Sequence, residues 1–221
     1  MATNSDSSPG ESVRQRVLAD VRATPSPARP VVSRRDAVLA AVATAGSLLL
    51  FALIGGVRPT DRPWSLVAGT AGGLALVAAF ALATIARRTM VGPSRQRLIA
   101  LSLLAPLFFL AWKMIISSVF DGATAPWPDR PGARCFGWTV LLTALPFIAA
   151  VFVRWHSDAT HPVSHGSALG VTVGMGAAVL VDLWCPVGHL PHVLGGHVLP
   201  IIVLGVLGAL AGRYLLAVRR F

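Results

Sequence analysis

The stretch LWCPVGHLPHVLGGHVLP (183–200) holds Cys185, His189, His192 and His197, which is one of two cysteines and three of six histidines in a chain of 221 residues. Thiol sulfur and imidazole nitrogen are ligands that zinc and copper accept, and a thiol is also readily oxidised. Three chemistries are open. Cys185, His189 and His192 could ligate a metal, with Cys135 nearby. Cys135 and Cys185 could form a reversible disulfide, or one thiol could be oxidised; a disulfide needs a Cα separation under about 7 Å. Both thiols could instead be buried and inert. The expectation is that no metal is held, because Pro186, Gly188, Pro191, Gly195 and Gly196 read as a flexible loop and no tight CxxC or HxxxH pair pins the geometry.

The other three histidines, His156, His161 and His165, lie in HSDATHPVSH, which reads as a solvated turn. GVTVGMGAAV (170–179) sits inside an apolar run, so small-residue helix packing explains it better than a nucleotide loop does. No Walker loop, HExxH or GxSxG is present. The chain is therefore expected to be no enzyme and to carry no cofactor.

The elements that must position these residues belong to a membrane protein. The chain is 54% hydrophobic and 13% charged, against about 25% charged for a soluble domain. A spanning helix needs roughly 20 apolar residues. Six candidates follow, over about 37–57, 65–86, 98–119, 136–153, 167–184 and 198–218. The expected fold is all-α: a six-helix membrane domain over 37–218, a short head over 1–36 and a tail over 219–221. The +10 net charge is almost entirely arginine. Placing both termini in the cytoplasm puts most of it inside, including Arg34, Arg35, Arg87, Arg88, Arg95, Arg97, Arg154, Arg219 and Arg220, as the positive-inside rule requires. Scattered loop-end arginine reads as topology and not as a nucleic-acid surface. Cys135 and Cys185 then both face outward, which in a bacterial inner membrane is an oxidising side.

The head is too short for a core of its own. Ser8 as N-cap, Pro9 in the first turn and Glu11 at the capping-box position start a helix over about 9–24. Val13, Val17, Leu18 and Val21 share one face, with Arg14 and Arg22 at its rim. TPSPARPVVSRR follows as a Pro-rich spacer that should not continue the helix. The apolar stripe must be covered by lipid, by the bundle or by a partner.

Lys113 and Asp182 are the ionisable residues inside spans. Such charges are costly and often functional. Pairing would reduce the cost of both; snorkelling to the outer interface is the other solution. A small transporter or channel built on the two is one alternative function, although paired broken helices are absent. A membrane thiol-redox protein is another, although a second cysteine pair is absent.

Several features resemble the NrsF-like polytopic membrane anti-sigma factors. They are the head and spacer VLADVRATPSPARP, the cysteine opening the fourth span in ARCFGWTVLLTALP, FVRWHS after that span, the Cys-Pro of VLVDLWCPVGH, and the closing GALAGRYLL. Trp184 stands where the family often has histidine. The resemblance implies a multi-pass inner-membrane negative regulator of transcription. Its head, through Val13, Arg14, Val17, Leu18, Val21 and Arg22, would sequester an extracytoplasmic-function sigma factor without touching nucleic acid itself. A stress or light signal, sensed at Cys135 and Cys185, would release that factor, with carotenoid-synthesis genes among the targets.

Overall fold

The computed structural model describes residues 13–16, 18–19, 29–57, 64, 67–69, 71–72, 93–119, 132–155, 160–185 and 187–217. Every regular element among them is helical. Five helices are long and apolar enough to cross a membrane. They are α1 (Arg29–Leu53), α2 (Arg95–Val119), α3 (Ala133–Val153), α4 (Pro162–Trp184) and α5 (Leu190–Leu216). The expected span 65–86 lies mostly outside the described residues; those described near it, 64, 67–69 and 71–72, are helical.

The chain divides into two units, Met1–Val38 and Leu39–Phe221. In the first, Val13, Arg14, Gln15, Arg16, Leu18 and Ala19 are helical and exposed. The end of the Pro-rich spacer is itself helical from Arg29. Pro30 stands in the first turn, where a missing N–H leaves no bond unmade.

In the second unit α4 is central. Within its most apolar window 72% is buried, against 17–28% for α1, α2 and α3, and it packs on α2, α3 and α5. Glycine makes the α4–α5 contact close: a Cβ on Gly170 would run into the carbonyl of Leu204, and one on Gly208 into the carbonyl of Gly166. Backbone-to-backbone approach of this kind drives helix association where the hydrophobic effect between helices is absent. Gly170 and Gly174 of GVTVGMGAAV are thus packing residues, whereas a Cβ on Gly176 would meet nothing within 4 Å.

Two boundaries differ from the sequence expectation in ways that matter for the site. Pro162 starts α4 at its first turn, so His165 is a buried helical residue and not part of a solvated turn. The stretch after Cys185, expected as a loop, is helical from Leu190 onward, and Leu194–Val198 winds as a π-helical turn. Pro200 supplies a physical reason for the wide turn, since it has no N–H to give and its ring crowds the carbonyl four residues back.

Candidate functional site

Four side chains converge where α3 begins, α4 ends and α5 begins. Cys135 stands in the first turn of α3. Thr139 Oγ1 donates to its carbonyl at 2.9 Å. Cys185 follows the last residue of α4 in an extended conformation, its N–H donating to the carbonyl of Val181. His192 and His197 come from the first turns of α5. All four are buried, and their ligand atoms all lie within 4.8 Å of one another. Both cysteines are free thiols.

His192 is the hub. Its Nε2 is 3.5 Å from Cys135 Sγ and 3.2 Å from Cys185 Sγ. The ring of His197 lies 5.6 Å from that of His192, centroid to centroid. It stacks on Phe109 of α2 at 6.2 Å. His197 is 0% exposed, and neither ring nitrogen has a hydrogen-bond partner among the described residues.

Local backbone explains why these histidines meet. Five residues of α-helix advance about 140° past a full turn, which would send His192 and His197 to different faces. A π-turn closes its hydrogen bond five residues back, as Leu199 N–H does to the carbonyl of Leu194. It therefore swings residue 197 back toward the face of residue 192. Of the candidate ligands Cys185, His189 and His192, the structure brings together Cys185 and His192 but not His189. His189 caps the short first turn of α5 and lies outside the four-residue group, while His197 takes its place. π-turns concentrate at functional sites, but nothing in amino-acid spacing marks this one beyond Gly195, Gly196 and Pro200.

Cys135 reaches the group through a second close approach. Gly132 has φ 85°, a left-handed conformation open to glycine. A Cβ there would stand 3.0 Å from the backbone nitrogen of Gly196, and a Cβ on Gly196 would stand 3.1 Å from Cys135 Cβ. The two bare backbones let the start of α3 press against the π-turn.

The rim carries charge. Arg134 Cζ sits 5.0 Å over the Trp184 ring, a cation–π contact beside Cys185. One turn before Cys185, Asp182 of α4 forms a buried ion pair with Lys113 of α2. The pairing anticipated for these two charges is present, and each neutralises the other.

Of the residues expected to dock a partner, Val13, Arg14 and Leu18 are helical and exposed, Val13 at 60% and Leu18 at 45%. Val17, Val21 and Arg22 lie outside the described residues, as does His156.

A protein-family model described as "Negative regulator of sigma F" (NrsF) matches residues 20–217. No curated protein and no solved structure matches the chain.

Proposed function

The chain belongs to the NrsF family of negative regulators of a sigma factor, and from that premise we propose that it is a membrane-embedded anti-sigma factor of the extracytoplasmic-function class. The N-terminal head holds the sigma factor at the bacterial inner membrane, away from RNA polymerase. A stress or light signal acting on Cys135 and Cys185 releases it, with carotenoid-synthesis genes among the targets.

The family match over most of the chain carries this reading. Five apolar helices supply the membrane anchor. The exposed Val13 and Leu18 supply an apolar surface on a short helix, and such a helix is marginal in water until something covers it. Cys135 and Cys185 share one imidazole nitrogen, so chemistry at either thiol disturbs the junction of α3, α4 and α5 together.

Co-purification tests the docking role. Full-length protein should retain the sigma factor and silence its promoter, and protein lacking residues 1–30 should do neither. Undiminished capture by the truncated protein would exclude the head as the docking element.

A further inference from the structure

We propose that Cys135, Cys185, His192 and His197 form a closed four-donor site for a divalent d10 ion of the zinc class. This assignment concerns the membrane unit alone and does not depend on the sigma-factor reading.

Three observations carry it. The first is reach. Zn–S bonds of about 2.3 Å and Zn–N bonds of about 2.0–2.1 Å at tetrahedral angles place sulfur and nitrogen ligands roughly 3.5 Å apart. Cys135 Sγ and Cys185 Sγ lie 3.5 and 3.2 Å from His192 Nε2, and all four ligand atoms fall within 4.8 Å of one another. The second is His197, fully buried with both ring nitrogens lacking a hydrogen-bond partner among the described residues. A buried polar group without a partner demands an explanation, and an ion is one. The third is charge. Two thiolates and two neutral imidazoles around a divalent ion sum to zero, the state that a low-dielectric interior tolerates best. A monovalent ion held by the same two thiolates would leave a net negative charge.

Binding balances simply. One divalent ion enters, the two thiols lose their protons to solvent, and both imidazoles bind through neutral nitrogen. With four protein donors no coordination position is left for water, which marks a structural site and not a catalytic one. The ion ties the start of α3, the end of α4 and the first turns of α5 at one point. It also protects the thiols from oxidation until it leaves.

The experiment uses full-length reduced protein in detergent, titrated with Co2+ as a spectroscopic probe and with Zn2+ in competition. We expect about one ion per chain, the intense visible bands of tetrahedral Co2+ with thiolate charge transfer, release of about two protons per ion and a rise in thermal midpoint. His197→Ala and His192→Ala should each weaken binding by roughly tenfold or more, the scale of loss that even a supporting residue of a metal site produces. His189→Ala should bind like the parent. Weak six-coordinate Co2+ bands in the parent would overturn the proposal. So would unchanged affinity in His197→Ala, an equal loss in His189→Ala, or a preference for Cu+ that needs the cysteines but not the histidines. Because the parent spectrum alone can exclude the site, a variant that fails to fold leaves the test intact; helical circular dichroism identifies such a variant.

Discussion

Ser47 of α1 donates a buried hydrogen bond of 2.7 Å to the carbonyl of Leu142 in α3. Leu142 stands four residues before Pro146, which lies inside that helix. Proline has no N–H, so the helix ladder cannot serve this carbonyl. In a bilayer an unserved backbone group is costly, and a hydroxyl from a neighbouring helix is one of the available remedies. A proline inside α3 is thus accommodated by a serine on another helix.

Replacing Ser47 with Ala should lower stability by only about 0.6–1.7 kcal/mol, the range found for single interhelical hydrogen bonds in membranes. The double change Ser47→Ala with Pro146→Ala should recover most of the loss, because the restored N–H serves Leu142 again. Denaturant titration in detergent checks both, and a double variant weaker than Ser47→Ala would exclude the account.

Lys113 and Asp182 form a buried ion pair between α2 and α4, with side chains 3% and 6% exposed. Removing one partner strands the other charge, so Lys113→Met or Asp182→Asn should cost about 3–5 kcal/mol. Lys113→Met with Asp182→Leu together should fall close to the parent, since an apolar pair has no charge to desolvate. The order of the three midpoints is the measurement.

Gly170 and Gly208 face backbone across the α4–α5 contact, and backbone cannot move aside for a methyl group as a flexible side chain can. Gly170→Ala and Gly208→Ala should each destabilise by about 1–3 kcal/mol. Gly176, where a Cβ meets nothing within 4 Å, should accept Ala with no loss. Equal effects at all three sites would mean that helix propensity and not close approach governs them.

Cys135 and Cys185 are 3% and 4% exposed, so maleimide should modify them slowly in the native protein whichever side of the membrane they face. Sidedness is better read from new cysteines in a Cys135→Ser, Cys185→Ser background. Ala133→Cys and Thr160→Cys, at two exposed positions, flank opposite ends of the helices. With both termini cytoplasmic, a membrane-impermeant maleimide labels Ala133→Cys in intact spheroplasts and Thr160→Cys only after lysis. The reverse pattern would invert the proposed topology.

In the head, Val13→Asp and Leu18→Asp should each weaken sigma-factor capture by roughly tenfold or more, since an apolar anchor in a groove contributes about 2 kcal/mol. Arg14→Ala, at the rim, should weaken it less and in a salt-dependent way. Pull-down across a salt series separates the two classes.

Composition and long apolar runs were enough to read an all-helical membrane protein, because lipid leaves a spanning chain few backbone options. Cys135 and Cys185 stood out by residue type alone, while the cost of charge at that depth left Lys113 and Asp182 either paired or snorkelling, and the structure shows them paired. What spacing could not reveal was which histidines join the cysteines. The sequence reading set His189 and His192 beside Cys185 as candidate ligands in a loop, whereas the chain unites His192 with His197 through a π-turn between Leu194 and Val198. That turn is favoured by Pro200, which has no N–H to give, and the approach of Gly132 to Gly196 brings in Cys135. Sequence by itself determined the apolar setting, the all-helical class and the pair of thiols. Only the tertiary structure decided that four donors meet at one point, because their convergence is made by close contacts between helices far apart in the chain.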